Sequence, residues 1–298
     1  MLQFDQEPVR GFRLRSRLGA GSFGEVWEGA GPRGESVALK FIDSHRRDCS
    51  IIRAEIRLLQ AVTEIGHPNL IRLLGVYASS HYFVLCLEKA DGNLEELRQT
   101  YKEVTGGNIA PEHLLELLDQ TAAGLDFIGA LKLPGFNQAS FGLQHCDIKP
   151  RNLLLLGDVV KIIDFGLCAA LGQQTHKQGC RGTIPYAPPE MYRGRAAPTT
   201  DQYSLAVTYC DLAGGDRVLS GAAYGGAGLA GQLDLSVFSR KQQEVLARAL
   251  SADPTRRYPS CRDFVKALRK AVFSRGSSVV KKRALPARPD LARPSAPG

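Results

Sequence analysis

No stretch of the sequence approaches 18 consecutive apolar residues, so no transmembrane helix is expected. The opening residues, Met1 to Pro8, lack a basic segment followed by an apolar one and are not read as a secretory signal. The seven cysteines, at 49, 86, 146, 168, 180, 210 and 261, are odd in number and contain no CxxC spacing. That argues against a zinc site or a disulfide framework, and predicts a reducing, cytoplasmic setting. Internal repeats are absent. Charged residues supply 23% of the chain and apolar residues 44%, so a sizeable core is available and wholesale disorder is excluded. A length of 298 residues suits two modest domains or one bilobal domain.

The body of the chain also lacks a strong charge of one sign. Net charge is +8, but residues 274–298 carry six Lys/Arg against Asp290 and hold +5 of it. The other 273 residues are left with +3, so no nucleic-acid partner is expected. Residues 274–298 also hold Pro286, Pro289, Pro294 and Pro297 without apolar periodicity, and read as a disordered tail that serves as linker or docking arm. Pro286 and Pro289 form a PxxP spacing, but chance matches are common in proline-rich segments.

Residues 12–42 alternate in the manner of strands, broken by a Gly-rich turn at 19–24 and a second turn at 31–34. Residues 50–64 carry apolar positions at helical spacing, and His67-Pro68-Asn69 is the expected stop. Strand-like runs at 70–77 and 81–88 follow, then a turn at Asp91-Gly92-Asn93. Beyond it the chain is mainly helical, with helices expected over 112–129, 201–213, 239–250 and 260–272. Between Gly214 and Gly231 seven glycines predict a mobile loop.

Three segments carry chemistry. Gly19-Ala20-Gly21-Ser22-Phe23-Gly24 spaces its glycines so that backbone can approach phosphate oxygens. A dinucleotide-binding turn would open a helix, whereas Glu25-Val26-Trp27-Glu28-Gly29 continues as a strand. In Val37-Ala38-Leu39-Lys40, strand periodicity puts Ala38 and Lys40 on one face, so a flat base can lie over Ala38 while Lys40 reaches phosphates. A lone strand lysine is more often a solvated charge, but Glu55 stands fifteen residues on as a candidate partner, with Glu64 its rival. Finally, His145-Cys146-Asp147-Ile148-Lys149-Pro150-Arg151-Asn152 precedes Asp164-Phe165-Gly166. Asp-Phe-Gly alone would be an ordinary turn. Together the two segments supply a carboxylate to take a hydroxyl proton, a cation for a γ-phosphate and two oxygen ligands for Mg2+.

These motifs resemble those of the eukaryotic-type protein kinases over about residues 12–273. Gly182-Thr183-Ile184-Pro185-Tyr186-Ala187-Pro188-Pro189-Glu190 is similar to the end of an activation segment, with Pro188 where Ala is usual. Asp201-Gln202-Tyr203-Ser204-Leu205 resembles the start of the buried helix behind the catalytic loop, and Arg257 the late-domain partner of Glu190. The resemblance implies an α+β bilobal fold. A small antiparallel β-sheet lobe with one main helix (about 12–88) leads through a hinge (88–93) to a larger, mainly helical lobe (94–273).

It also implies roles. Leu18, Gly19, Gly21 and Gly24 would cover ATP, with Lys40 on its α/β-phosphates and Glu55 holding that lysine. Val26, Ala38 and Leu154 would sandwich adenine, and backbone of Glu88 and Ala90 would read its edge. Leu87 would be the gatekeeper, with Cys86 the alternative. Asp147 would be the base, Lys149 the γ-phosphate clamp, and Asn152 and Asp164 the ligands of Mg2+, for which Mn2+ can substitute. Lys149 with Thr183 is the Ser/Thr-kinase pattern, so the expected partners are ATP and a protein with a Ser or Thr acceptor.

One departure has a consequence. The family's usual Arg before the catalytic Asp pairs with an activation-segment phosphate, and Cys146 cannot. Residues 164–190 contain no Ser and only Thr175 and Thr183 as Thr, so activity is expected without activation-segment phosphorylation. Cys146, Cys168 and Cys180 suggest either a redox switch or, more simply, small reduced side chains. Residues 131–141 read as an insertion with an open role. Two rivals remain: a catalytically inactive nucleotide-binding scaffold of the same fold, and a small-molecule kinase, against which the 182–190 segment argues.

Overall fold

The computed structural model describes residues 2–21, 24–45, 48–79, 81–131, 142–170, 183, 185–215, 218 and 233–274. Nearly all of the 131–141 insertion, most of the Gly-rich 214–231 stretch and all of the tail but Ser274 lie outside these residues, as do Thr175 and Cys180. Two compact units meet in the sequence between Ala90 and Asp91.

In the first unit, strands β1 (Arg13–Gly21), β2 (Gly24–Ala30) and β3 (Ser36–Asp43) are joined by β4 (Leu73–Ala78) and β5 (Tyr82–Glu88). They form one antiparallel sheet in the order β1-β2-β3-β5-β4. Alternation explains its two faces. Val37, Leu39 and Phe41 of β3 join Phe12, Leu14, Trp27, Val84 and Cys86 in one buried cluster. Lys40 and Ala38 therefore face the other way.

Helix α1 (Cys49–Ile65) starts at Asp48, whose carboxylate accepts from Ser50 N, as a helix N-cap should. It stops at Gly66, which turns left-handed at φ 77° and returns its N–H to the Val62 carbonyl. The stop thus falls one residue before the expected His67-Pro68-Asn69 signal, because the glycine cap acts first. The strand expected from 70 begins only at Leu73.

The second unit contains α2 (Leu94–Thr105), α3 (Pro111–Ala130), α4 (Thr200–Gly214), α5 (Arg240–Ala249) and α6 (Cys261–Val272). Short strands β6 (Gly92–Asn93), β8 (Leu153–Leu156) and β9 (Val159–Ile162) form one small sheet. Strands β7 (Leu143–Gln144) and β10 (Ala169–Ala170) form another. Helix α3 begins with Pro111 at its first turn, where a missing N–H costs nothing, and packs on α4 and α6.

Every residue of α4 from Thr200 to Leu212 is buried, which marks it as the central post of this unit. Asp126 of α3 caps α6 by accepting from Cys261 N (2.8 Å) and Arg262 N (3.1 Å). Helix α2 is not among the helices expected from periodicity, although its start signal is present. Asn93 accepts from Glu96 N while the Glu96 carboxylate accepts from Asn93 N, a full capping box.

Candidate active site

The functional residues of each unit form a separate constellation. In the first unit, β3 carries Lys40 and α1 carries Glu55, and Lys40 Nζ donates to Glu55 Oε1 at 2.8 Å. The Glu55 side chain is 1% exposed and Lys40 is 18% exposed, so the pair holds the lysine from below while its ammonium keeps an outlet. Glu64, the rival, is exposed near the end of α1.

The β1–β2 connection is a hairpin, with Gly21 opposite Gly24, and no helix opens after the glycines. Gly24 sits at φ 145°, and a side chain there would collide with the Phe41 carbonyl. Among the described residues other than its chain neighbours, a Cβ at Gly19 would meet nothing within 4 Å. Leu18 beside it is exposed.

Cross-strand register orders the rest of this face. Val26 lies opposite Lys40, and Ala38 opposite Leu87. Directly opposed residues share a face, so Leu87 joins Ala38 and Lys40. Cys86 lies opposite Leu39 in the buried cluster behind the sheet. Glu88 closes β5; its N–H donates to the Arg72 carbonyl at 3.1 Å, and Ala90 is the last residue of the unit.

Sequence reasoning overlooked Glu28, which opposes Ala38. It accepts from Ser36 (2.7 Å) and Ser16 (3.0 Å) and pairs with Lys89 at 3.6 Å. Burial raises its carboxyl pKa, but the two hydroxyls and Lys89 outweigh that and bring it below the usual value.

In the second unit, Asp147 gathers four donors. Its Oδ2 accepts from Lys149 Nζ (2.7 Å) and Asn152 Nδ2 (3.0 Å). Its Oδ1 accepts from Thr183 N (3.1 Å) and Thr183 Oγ1 (2.9 Å). The Thr183 hydroxyl also accepts from Lys149 at 2.6 Å, so carboxylate and ammonium address a single hydroxyl together. Asn152 Nδ2 donates to the Asp147 carbonyl as well, at 2.8 Å, which turns its Oδ1 away from Asp147 as an oxygen available to a hard cation. Leu154 follows on β8.

Asp164 takes a left-handed conformation (φ 70°) that starts the Phe165–Leu167 turn. Phe165 is buried edge-on against the His145 ring, with centroids 5.3 Å apart.

The loop bearing Asp147 is held from behind. Asp201, near the start of α4, accepts from His145 N (2.7 Å) and Cys146 N (2.8 Å). Burial pushes the Asp201 carboxyl up, opposed by His145 and these two backbone donors. The His145 ring meets the Ile163 carbonyl at 2.8 Å through Nε2, and its Nδ1 accepts from Asp147 N at 3.3 Å. In that pairing Nε2 carries the hydrogen that the Ile163 carbonyl accepts.

Cys146 is left-handed (φ 67°) and buried, and packs with Met191 against Leu167 and Ala196. Its Sγ donates weakly to the Gln144 carbonyl. Cys146 thus forms part of an apolar plug beside the loop that bears Asp147.

Glu190 and Arg257 meet through two parallel contacts of 2.6 and 2.8 Å. Arg257 also donates to the carbonyls of Thr199 and Ser251, and Thr200 Oγ1 donates to Glu190. The sequence reading missed a second tie of the same segment. Tyr186 donates to Asp211 at 2.7 Å, and Asp211 lies 3.9 Å from Arg98.

Comparison with known proteins places these residues in context. The model of the protein kinase domain family matches residues 12–273. The serine/threonine-protein kinase chk-1 of Caenorhabditis elegans is 31% identical over 222 residues, 71% of this chain and 41% of that protein. Cell division control protein 2 homolog 3 of Trypanosoma brucei brucei is 30% identical over 209 residues, 68% of this chain and 63% of that protein. The chain thus spans less than two thirds of the length of these relatives. The crystal structure of the PknI kinase domain of Mycobacterium tuberculosis superposes with a TM-score of 0.66. It is 22% identical and covers 91% of this chain and 100% of that one, a likeness of bilobal fold.

Proposed function

Because the chain belongs to the protein kinase domain family, we propose that it transfers the γ-phosphoryl group of ATP to Ser or Thr hydroxyls of a protein substrate. The observation that carries this reading is the Asp147 carboxylate, oriented by Lys149, Asn152 and Thr183 within 3.1 Å. A carboxylate so placed accepts the proton of the attacking hydroxyl as its oxygen bonds to phosphorus and the bond to the β-phosphate oxygen breaks. Lys149 neutralises charge on the transferred group. Lys40, held by Glu55, binds the α/β-phosphates, and Gly19, Gly21, Gly24 and Leu18 cover the nucleotide. Val26, Ala38, Leu87 and Leu154 contact the base, whose edge is read by backbone of Glu88 and Ala90.

Asn152 and Asp164 would hold Mg2+, or Mn2+ as its substitute, through their side-chain oxygens, and the ion would supply neutralisation of phosphate charge. Among the described residues no group of three His, Cys, Asp or Glu could hold a metal alone.

The buried Cys146 plug supports a finer reading, activity without a phosphate on the activation segment. Thr175→Ala is expected to keep activity within about threefold, well under the 1.4 kcal/mol that a tenfold change represents. A hundredfold loss contradicts independence. Free cysteines among the described residues support work in a reducing cytoplasm. Among the described residues no helix is long and apolar enough to cross a membrane.

The test is intact mass after incubation with Mg2+–ATP and a generic Ser/Thr protein substrate, with Asp147→Asn alongside. Transfer by the wild type and a loss of about a thousandfold in the variant support the assignment, since one base contributes roughly that factor. No transfer by either, with ATP still raising the melting temperature, points instead to a nucleotide-binding scaffold.

A further inference from the structure

Strand β1 is two residues out of step with β2 by the time it reaches its glycines. Arg13 and Leu14 oppose Ala30 and Gly29, and Ser16 and Arg17 oppose Glu28 and Trp27. Gly19, Ala20 and Gly21 then oppose Val26, Glu25 and Gly24. Arg15 and Leu18 are therefore extra residues, each the site of a β-bulge.

The second bulge decides which way the glycines face. A one-residue change of register moves every following side chain to the other face of a sheet. Were the pairing of Arg17 with Trp27 continued without an extra residue, Leu18 would oppose Val26 and Gly19 would oppose Glu25. With the bulge, Gly19 opposes Val26, and alternation places Gly21 on the same side. That is the face of Lys40, because Val26 also opposes Lys40.

The two residues between the bulges are each held by a carboxylate of β2. Ser16 donates to Glu28 at 3.0 Å, and Arg17 donates to Glu25 at 3.3 Å. Glu25 lies beyond the second bulge, opposite Ala20, so its bond to Arg17 spans the extra Leu18. Its other oxygen accepts from the Trp27 indole N–H at 2.8 Å. Trp27 is buried with Val37, Leu39 and Phe41 behind the sheet, and Glu25 supplies the acceptor that a buried indole needs.

We propose that Glu25 is a positioning residue for the nucleotide. By bridging Arg17 and Trp27 it holds the bulge at Leu18, and with it the register that turns Gly19 and Gly21 toward the phosphates. This rests on the reading of the Lys40 face as the ATP site. Glu25 stands on the opposite face, across from Phe41, and acts only through the glycines.

The test compares a ligand that has phosphates with one that has none. A non-hydrolysable ATP analogue with Mg2+, and separately adenosine, are titrated by calorimetry into the full chain and into Glu25→Leu, Glu25→Gln and Arg17→Met. Melting temperatures report folding. The emission of Trp27, the single tryptophan of the sequence, reports whether the indole bond is lost.

Glu25→Leu should weaken the ATP analogue about tenfold. Adenosine should change less than about twofold, because the glycine backbone meets phosphates and not the nucleoside. Glu25→Gln should recover most of the loss, since its amide oxygen still accepts from Trp27. Arg17→Met keeps the indole bond and should weaken the analogue about threefold, in keeping with a half-exposed ion pair. If Glu25→Leu does not fold, Arg17→Met decides alone, and wild-type affinity for the analogue overturns the proposal. Equal loss of both ligands in Glu25→Leu also overturns it, since Glu25 is then a structural brace and no more. A wild type that binds neither ligand defeats the ATP reading and this inference together. A wild type that binds both, with variants that bind the analogue equally well, defeats this inference alone.

Discussion

Lys40 and Glu55 illustrate how one ion pair joins stability to function. The Glu55 carboxylate is buried, and the ammonium 2.8 Å away is what makes its burial tolerable. Lys40→Met breaks this ion pair at a buried carboxylate, which should cost about 3 kcal/mol, the usual cost of removing one partner of a buried pair. The same change should lower phosphate transfer at least about a hundredfold, because the α/β-phosphates then have no ammonium to meet their charge. Denaturant midpoints and initial rates on the one variant separate the two effects. A variant that keeps both stability and rate rejects the assignment.

The thiols divide as clearly. Cys49 is exposed and Cys168 half-buried, whereas Cys86, Cys146, Cys210 and Cys261 are buried. Burial, with Glu35 adding to it, pushes the Cys86 thiol up to about 11. Native alkylation with iodoacetamide at pH 8, read by peptide mass mapping, should therefore modify Cys49 and Cys168 before these four. Rapid modification of Cys146 would contradict its place in the apolar plug and reopen a redox role for it.

Helices and segments are held at their ends. The capping box at Asn93 starts α2, which carries Arg98 and Lys102, and Asn93→Ala should cost about 1 kcal/mol, the usual value of such a cap. The melting temperature gives the readout, and an unchanged value would mean the cap is dispensable.

The Glu190–Arg257 pair is of another order, because it joins the end of the activation segment to the turn after α5 with both carboxylate oxygens engaged. Arg257→Met should destabilise by about 3 kcal/mol, as a buried carboxylate is left without its fork. Arg257→Lys should recover only part, since an ammonium cannot reproduce the two parallel bonds. Equal stability of the lysine variant and the wild type would show that charge alone suffices.

Alkaline pH acts on the molecule as a whole. Burial raises the thiols of Cys86, Cys210 and Cys261 and the phenols of Tyr186 and Tyr209, with Asp211 adding to the shift at Tyr186. Each group ionises at lower pH unfolded than folded. Below about pH 7.5 both states keep these protons and stability is unaffected. As pH rises past about 8 the unfolded thiols release theirs first, and from about 9.5 the phenols follow, so stability falls. The denaturation midpoint should drop between pH 8 and pH 10.5, and a constant midpoint would contradict the burial of these groups.

Much of this was legible in the chain alone, because chemistry-bearing residues cluster in sequence. His145 to Asn152 and Asp164 to Gly166 carry the proposed roles within a short stretch, as local spacing puts a carboxylate, a cation and two further oxygen donors on one loop and its neighbour. The alternation of β3 places Lys40 and Ala38 on one face without any coordinates. Contacts between residues distant in the chain were legible only in part. That Lys40 meets Glu55 and not Glu64 follows from how α1 lies beside β3, and that Leu87 and not Cys86 shares the face of Lys40 follows from the register of β5 on β3. The bonds from Asp201 to the catalytic loop, 55 and 56 residues away, and from Tyr186 to Asp211 depend on a helix packed behind that loop. Periodicity speaks for the residues of one element. Which side chains meet across elements is set by packing and by the need to satisfy buried polar groups, and those become determinate only when the chain has folded.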